Sequence, residues 1–309
     1  MYYFIVNPNA GCGRGLAVWN DTKKYLHKKN IEYEAYLTAE KGDARRRSRE
    51  LTESFCGPLY LVTVGGDGTI NEVIDGAILR SDVVFGFIPA GSGNDLTKGL
   101  GLSSGIRRSV RRALCDGRID KLDYGVISCG DEDRGCIRRF AVSAGIGFDA
   151  AVCHSIIEDR EQGRPSLLNR GKLGYLFTGI REFISTKPVK GYIILDDSKK
   201  VEFNHILFIS AHICPFEGGG FRFAPSADPR DGELSVCVVS TRNKLKLIFA
   251  LLRARGKSLR QKSGVRFYQC RELRIHTEKP LAVHTDGEDC MHQTDLTIRC
   301  IPGQLQMVH

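Results

Sequence analysis

Short apolar runs alternate with helix-like stretches over the first hundred residues of the chain. Runs rich in aliphatic and aromatic residues predict β-strands at 2–6, 33–37, 59–64 and 83–88. Between them, apolar residues recur at helical spacing over 16–29, 44–55 and 70–79. Strands that alternate with helices of this length are typical of a mostly parallel sheet with helical crossovers. The pattern therefore predicts a Rossmann-like α/β domain.

The pattern changes near Tyr124, from which strand-like runs punctuated by Gly and Pro predominate. They predict strands at 192–195, 206–210, 234–239, 273–276 and 296–301. Such punctuation favours a β-rich second domain with the architecture of a sandwich. We place the first domain at residues 1–123 and the second at 124–301, and allow 302–309 to return to the first. A polar stretch, 158–172, predicts a surface loop that leads into a helix over 173–184.

Composition excludes several classes of protein. The 309 residues are 42% hydrophobic and 26% charged, the balance of a globular chain rather than of a disordered one. No apolar run approaches the ~18 residues that a transmembrane helix needs. The first residues lack a signal-peptide pattern, so we expect a cytoplasmic protein. The 11 cysteines contain no C-x-x-C pair and are expected to be reduced. A net charge of +9 indicates a polyanionic partner, such as a nucleotide, an anionic membrane or a nucleic acid.

The segment Gly65-Gly66-Asp67-Gly68-Thr69 directly follows one predicted strand and leads into a predicted helix. Glycines allow a phosphate to approach the backbone, and a helix start supplies unpaired N–H groups that bind anions. The Asp67 carboxylate would repel a bare phosphate, so a divalent cation or an ordered water is needed between them. The segment therefore predicts a site for a magnesium nucleotide.

Two further glycine-rich loops have the same place relative to the sheet, residues 7–13 after the first strand and 89–95 after the fourth. The carboxyl ends of parallel strands form one edge, where open α/β sheets bind their ligands. We therefore expect the three loops to converge on one crevice. The chain contains neither G-x-x-x-x-G-K-[ST] nor a complete G-x-G-x-x-G, which excludes Walker-type and dinucleotide-type binding.

Together these segments, NPNAGCG at 7–13, GGDGTINEV at 65–73 and PAGSGND at 89–95, resemble the diacylglycerol kinase catalytic-domain family, in its bacterial soluble lipid kinase form. The resemblance continues through AGIGFDA at 144–150, GGGFRFAP at 218–225, Asp231-Gly232 and Asp286-Gly287-Glu288, and so covers nearly the whole chain. It implies ATP-dependent transfer of the γ-phosphoryl group to the hydroxyl of a diacylglycerol-like lipid. It also implies an active site between a nucleotide domain and a β-sandwich.

The resemblance implies roles for individual residues. Glu288 matches the proton acceptor of the family, and a carboxylate is suited to take a hydroxyl proton. Asp120 matches a supporting carboxylate of the same site, although Asp123 is close enough in sequence to be confused with it. Asp67 would reach the phosphates through magnesium and water. The implied ATP-binding positions are Asn7, Pro8, Asn9, Ala10, Gly11, Thr38, Gly65, Gly66, Asp67, Gly68, Thr69, Ile70, Asn71 and Ser92, the last of which is usually threonine in the family.

A second, structural magnesium is implied at Asp228, Asp231 and Glu233, with a carboxylate from Asp231 and main-chain oxygens from the other two. These carboxylates also have simpler interpretations. The Asp231-Gly232 pair suits an ordinary turn without an ion. The Asp286-Gly287 pair suits a hairpin turn that leaves the following glutamate in solvent.

Other functions remain open from the sequence. A soluble-metabolite kinase of the NAD kinase type would share GGDGT, and a non-catalytic basic module could use a nucleotide as a regulator. The segment 243–262 combines leucine, isoleucine and phenylalanine with lysine and arginine. It suits either docking on an anionic leaflet or packing as an amphipathic helix. Aromatic residues do not alternate with the basic clusters, so we expect no nucleic-acid partner. The expected partner is a lipid at the inner face of the membrane, met by transient peripheral association.

Overall fold

The structure of the protein is a computed structural model, which describes residues 1–102, 105–116, 118–130, 136–148, 150–152, 186–242, 261 and 264–308. Several predictions fall outside these residues. They are the loop at 158–172, the helix at 173–184, Asp149 of the AGIGFDA segment and, apart from residue 261, the basic segment 243–262.

The first hundred residues form the predicted parallel sheet. Strands β1 (Tyr2–Val6), β2 (Tyr33–Leu37), β3 (Leu59–Gly65) and β4 (Val83–Pro89) lie in the order β2-β1-β3-β4, and each neighbouring pair is parallel. The helices are α1 (Arg14–Lys28), α2 (Asp43–Ser54), α3 (Asp67–Gly76), α4 (Asp95–Gly99) and α5 (Ile106–Arg111), which a π-helical turn continues at Arg112–Asp116. The predicted strands and crossover helices are confirmed. Of the helices in the described ranges, none has the length and apolar character to cross a membrane.

The third helix begins at Asp67, three residues before the predicted start at residue 70. Gly66 precedes it with an extended backbone (φ −100°, ψ −175°) and is the only residue between the end of β3 and the helix. An acidic side chain in the first turn interacts favourably with the positive end of the helix dipole. Asp67 is therefore part of the helix start rather than of the loop.

The parallel sheet is covered by helices on both faces. Tyr3 and Ile5 pack with buried residues of α2 and α3. Phe4 and Val6 point to the other face and pack with α1 and α5, where the rings of Phe4 and Trp19 lie 5.1 Å apart. Burial on both faces explains why these strands appear in the sequence as nearly continuous apolar runs.

The rest of the described chain is built from strands, most of them antiparallel to their neighbours. They are β5 (Ile119–Cys129), β6 (Cys136–Phe140), β7 (Ser143–Gly147), β8 (Val189–Leu195), β9 (Lys199–His212), β10 (Leu234–Ser240), β11 (Val265–Cys270), β12 (Glu272–Thr285) and β13 (Glu288–Val308). The long strands change partner along their length. β12 pairs with β8 in its first half and with β7 at its end. A long strand that changes partner in this way is typical of the corners of sandwich-like folds.

The last strand connects the two regions. β13 pairs with β12 and β5, and its final residues Met307 and Val308 then pair in parallel with Phe85 and Gly86 of β4. β5 runs without a break across residues 123 and 124, where the sequence places the domain boundary. One buried apolar cluster extends from Ile5 in β1 into the strands of the second region. The hairpin that begins β13 is therefore fixed relative to the sheet that carries the glycine-rich loops.

Candidate active site

The loops that follow β1, β3 and β4 meet at the carboxyl edge of the sheet, as the sequence predicts. Gly66 and Gly91 pack backbone to backbone, since a Cβ atom on Gly91 would lie 2.6 Å from Gly66 Cα. The Ala90 N–H donates to the Gly65 carbonyl oxygen at 2.6 Å. A Cβ atom on Gly11 would overlap the Ala90 carbonyl oxygen. Side chains at these contacts would separate the loops, so the close approach requires glycine.

Asn7 joins the loop after β1 to α3. Its Nδ2 donates to Thr69 Oγ1 at 3.1 Å, and its Oδ1 accepts the Asn9 N–H at 3.0 Å. The carbonyl groups of Pro8 and Ala10 accept N–H bonds from the start of α1 at 3.0 and 2.9 Å. The predicted ATP-binding residues 7–11 therefore form a loop that is anchored to both helices.

Three other predicted ATP-binding residues have different environments around these loops. Thr38 is 8% exposed directly after β2, and its N–H donates to the Val6 carbonyl at 2.8 Å. Ser92 is exposed in the loop after β4. Ile70 is 1% exposed and belongs to the apolar core. Its side chain therefore packs α3 against the sheet, and only its backbone can face a nucleotide.

Asp67 and Asp95 form an acidic pair at the starts of α3 and α4. Asp67 Oδ1 accepts the Leu96 N–H at 3.2 Å. Asp95 Oδ1 lies 2.8 Å from Lys98 Nζ, and its Oδ2 accepts the Gly219 N–H at 2.6 Å. Burial, and then the negative charge of Asp95, raise the pKa of Asp67 to about 7. Asp95 was not among the predicted site residues, although its place at the carboxyl edge of the sheet could have identified it.

The Asp286-Gly287 turn lies against α3. Both residues have positive φ, 47° and 84°, as a two-residue hairpin turn between β12 and β13 requires. Asp286 Oδ2 accepts a hydrogen bond from Asn71 Nδ2 at 2.9 Å, and its two oxygens accept the N–H groups of residues 141–143 at 2.8–2.9 Å. Burial raises the pKa of Asp286, and these hydrogen bonds oppose the rise. Asn71, predicted to bind ATP, thus uses its amide nitrogen to connect the two regions.

Glu288 lies over the start of α3. A Cβ atom on Gly68 would be 3.1 Å from Glu288 Oε1. The other oxygen, Oε2, is 2.6 Å from Lys41 Nζ, and the side chain is 21% exposed. The hairpin turn that the sequence allowed is present, but the carboxylate of Glu288 is directed at Gly68 in the first turn of α3 instead of standing in solvent. Two predicted site residues, one from each region, are therefore brought together.

Lys41 was not predicted as a site residue. It lies in the loop between β2 and α2, at the same carboxyl edge as the glycine-rich loops. Asp43 Oδ2 accepts the N–H groups of residues 39 and 40 at 2.8 and 3.1 Å, which lowers the pKa of Asp43. Glu72 Oε1 accepts the Gly42 N–H at 3.0 Å. The loop that carries Lys41 is therefore held by α2 and α3.

Asp120 lies away from this cluster. Its carboxylate oxygens are 3.0 Å from Arg230 Nη2 and 3.4 Å from Arg118 Nε. The strand register pairs Asp120 with Met307, which in turn pairs with Phe85. Phe85 lies four residues before the end of β4, which corresponds to about 13 Å below the edge where the loops meet. The structure therefore does not bring Asp120 together with the other two predicted catalytic carboxylates.

The three residues predicted to hold a structural magnesium share one turn. Asp231 Oδ1 accepts the Glu233 N–H at 3.0 Å, and the Asp228 carbonyl accepts the Asp231 N–H at 3.4 Å. Burial raises the pKa of Asp231. Within the described ranges, no group of three or more His, Cys, Asp or Glu side chains has an arrangement suited to a metal ion. The turn is present, and the magnesium site stays a prediction.

Fold and site together define a class of protein. A parallel α/β domain presents three glycine-rich loops at one sheet edge, and a hairpin of the β-rich region places a carboxylate over the helix start at that edge. This is a nucleotide-type site completed by a second domain. The model of the diacylglycerol kinase catalytic domain matches residues 1–127, and that of the YegS C-terminal NAD kinase beta sandwich-like domain matches residues 142–309. The chain belongs to this family of kinases, as its motifs implied.

Individual proteins agree with this assignment. "Putative lipid kinase YtlR" of Bacillus subtilis is 28% identical over 316 residues, which cover 99% of this chain and 98% of that protein. A solved diacylglycerol kinase of Bacillus anthracis has a TM-score of 0.72 at 20% identity and covers 100% of this chain and 96% of its own. The solved structure of yeast NADH kinase has a TM-score of 0.51 at 10% identity, and the match covers 100% of this chain and 82% of the yeast chain. At such identities the two solved structures show a shared fold alone.

Proposed function

We propose that the protein transfers the γ-phosphoryl group of ATP to the hydroxyl group of a diacylglycerol-like lipid. The observation that carries the proposal is the position of Glu288, whose carboxylate lies over Gly68 at the start of α3. Backbone N–H groups at a helix start bind phosphate groups. The terminal phosphate of a nucleotide held there would face this carboxylate.

The proposed reaction needs one proton acceptor and an alignment of the lipid hydroxyl with the γ-phosphorus of ATP. The lipid hydroxyl oxygen forms a bond to the γ-phosphorus while the bond from that phosphorus to the β–γ bridging oxygen breaks, and ADP leaves with the bridging oxygen. Glu288 accepts the hydroxyl proton. Asp286 is unsuited to this role, because its two oxygens already accept hydrogen bonds from Asn71 and from residues 141–143.

Asp67 and Asp95 fit a magnesium ion bound together with the nucleotide. They are neighbouring carboxylates at the carboxyl edge of the parallel sheet, and the charge of Asp95 contributes to the raised pKa of Asp67. Mg²⁺ usually binds one or two carboxylates together with substrate phosphates. When bound, the ion would neutralise negative charge on the phosphates. Asn7 and the glycine-rich loops would orient the nucleotide.

We propose a lipid alcohol as the acceptor because the catalytic-domain model and the relative from Bacillus subtilis both name lipid chemistry. The net charge of +9 supports transient contact with an anionic membrane surface, where such an alcohol is presented. Nucleic acid is not proposed as a partner. A soluble acceptor such as NAD is the alternative, since the fold is shared with an NADH kinase.

The test is a transfer assay with ATP labelled at the γ-phosphate. The full chain is incubated with Mg²⁺, with diacylglycerol and other lipid alcohols in neutral or anionic vesicles, and separately with NAD. We expect label in a lipid product, at a higher rate on anionic vesicles in low salt. Label in NAD alone would support the metabolite kinase, and no transfer to any acceptor would support the non-catalytic module.

Glu288→Gln tests the role of the carboxylate in the same assay. We expect kcat to fall by about 10²- to 10⁴-fold, the usual contribution of a general base, with ATP binding retained. Glu202→Gln is the matched control, because Glu202 is 73% exposed on β9 and paired with Lys200. An unchanged kcat for Glu288→Gln would place the proton acceptor elsewhere.

A further inference from the structure

Glu217 is a buried carboxylate between two histidines, and none of the three has a role in the proposed reaction. Glu217 Oε1 lies 3.3 Å from His284 Nε2, and Oε2 lies 3.7 Å from His212 Nε2. Both histidines are fully buried, and Glu217 is 13% exposed. Burial alone would raise the pKa of Glu217, but the contacts with His284 and His212 lower it below its ordinary value. The group is therefore an ionised carboxylate held inside the protein by its histidine neighbours.

The ring of His284 continues this contact to the turn that carries Glu288. The Gly287 N–H donates to His284 Nδ1 at 3.3 Å. Since one ring nitrogen accepts that hydrogen bond, the ring proton lies on Nε2, the atom that faces Glu217. A buried carboxylate that fixes the tautomer of a histidine also fixes the orientation of its ring. Glu217, His284 and Gly287 thus form a continuous chain of polar contacts.

The segment around Glu217 is well suited to hold a fixed position. Glu217 and Phe221 exchange two backbone hydrogen bonds, each of 2.9 Å. The three glycines between Glu217 and Phe221 all have positive φ, and the middle one, Gly219, donates its N–H to Asp95 at 2.6 Å. The tight loop therefore contacts the nucleotide domain on one side, while its first residue reaches the hairpin turn through His284.

We propose that Glu217 is a positioning residue that acts through His284 on the Asp286-Gly287 turn and thereby sets the place of the Glu288 carboxylate over α3. The inference rests on the proposed function, because it gives Glu288 its task. Without the charge of the Glu217 carboxylate, the Nε2–H of His284 would lose the charge assistance that makes such a hydrogen bond roughly twice as strong, and it would be weakly held in a buried site. Such a group reorients to find another partner. Nδ1 would then leave Gly287, and the turn would lose one of the contacts that hold it.

The first test is Glu217→Gln, alone and combined with Glu288→Gln, in the transfer assay. A misplacement of reacting groups by about 1 Å can lower the rate about 10²-fold, so we expect kcat to fall 10- to 100-fold. The KM for ATP should stay within about twofold. In the Glu288→Gln background, Glu217→Gln should have no further effect, because residues that act as one unit are not additive. Glu202→Gln is again the control.

His284 supplies a second test that does not depend on Glu217→Gln being folded. His284→Asn keeps an acceptor near the position of Nδ1, whereas His284→Leu removes it. We expect His284→Asn to retain more activity than His284→Leu, and Glu217→Gln to add nothing to His284→Asn. His276→Asn is the control, because His276 is 38% exposed and paired with Asp295 at the surface.

The outcomes separate this inference from the proposed function. A wild-type protein that labels no lipid overturns the proposed function. An active wild-type protein in which Glu217→Gln is harmless, or multiplies the loss of Glu288→Gln, overturns the positioning role. A crystal structure of Glu217→Gln gives a readout without any assay. We expect the Gly287 N to His284 Nδ1 distance to exceed 3.5 Å, beyond hydrogen-bond range, and an unchanged hydrogen bond would contradict the inference.

Discussion

Asp286 and Glu288 lie two residues apart in one hairpin, yet their carboxylates have different surroundings. Asp286 is enclosed, and it accepts hydrogen bonds from Asn71 and from three backbone N–H groups. Glu288 has one ion pair, with Lys41, and otherwise faces the start of α3. The first carboxylate is suited to hold the turn in place, and the second is suited to exchange a proton.

Asp67 should reduce the stability of the free protein at neutral pH. In the folded protein the pKa of Asp67 is about 7, above the ordinary value of 3.8. The free energy of unfolding is therefore highest below about pH 4, where Asp67 is protonated in both states, and it falls as the pH rises to 7. Each pKa unit is worth about 1.4 kcal/mol. Because Asp67 is only half-buried, we expect Asp67→Asn to stabilise the protein by about 2 kcal/mol at pH 8. The rate of phosphoryl transfer from ATP should fall in the same Asp67→Asn variant.

Urea unfolding at pH 5 and pH 8 measures this effect. The gain from Asp67→Asn should be larger at pH 8, where the wild-type carboxylate is charged. Asp21→Asn is the matched control, since the Asp21 side chain is 60% exposed on α1 and should show no such dependence. A gain that is equal at both pH values would mean that the Asp67 carboxylate is not disfavoured by its surroundings.

The sequence predicted the loop residues of the site better than the residues that hold them. The glycines and Asp67 follow from local rules, because a strand, a tight bend and a helix start lie within ten residues. Lys41 and Glu217 have no such local signal. Their roles depend on contacts with Glu288 and His284, which are far away in the chain. Long-range pairing of this kind cannot be derived from spacing.

Among the elements, the first four strands and first three helices were predicted to within three residues, because short buried strands and amphipathic helices each leave a periodic pattern, whereas α4 and α5 were not predicted. The second region was predicted only as a set of strand cores. β13 extends over Glu288–Val308, whereas its apolar pattern predicted only 296–301. The remainder is a half-exposed strand whose pairing with β12 and β5 overrides the weak local pattern.

Gly76 gives a prediction about the packing of α2 against α3. Alanine normally stabilises a helix relative to glycine by about 1 kcal/mol. At Gly76, however, a Cβ atom would overlap the carbonyl oxygen of Arg45 in α2. We therefore expect Gly76→Ala to destabilise the protein by about 1–3 kcal/mol, as overpacking does. Thermal unfolding is the measurement. Asn20→Ala, at an exposed position of α1, is the control and should raise the melting temperature. A raised melting temperature for Gly76→Ala as well would mean that α2 and α3 can move apart to accept the extra methyl group.

The two regions share one buried core and one hydrogen-bonded sheet. β13 contributes Leu305 and Met307, each 1% exposed, to the same apolar cluster as Ile5 and Leu61 of the parallel sheet. It also begins with Glu288, which lies over the start of α3 beside the glycine-rich loops. A single strand thus connects the hairpin that carries Glu288 to the core of the first domain. This explains how a residue far along the chain can be held at the edge of the N-terminal sheet.

Met307→Ala tests whether this shared core makes the two regions unfold together. Removing a buried methionine side chain costs about 2–5 kcal/mol, whereas Met291→Ala, at a 70% exposed position, should change stability by less than about 0.5 kcal/mol. Trp19, the sole tryptophan, reports on the first domain by fluorescence, and circular dichroism reports on the strands of both regions. Because the core is continuous, we expect the two urea transitions to coincide and to shift by the same amount in Met307→Ala. Transitions that separate, or a shift seen by Trp19 alone, would show that the regions unfold independently and that β13 does not couple them.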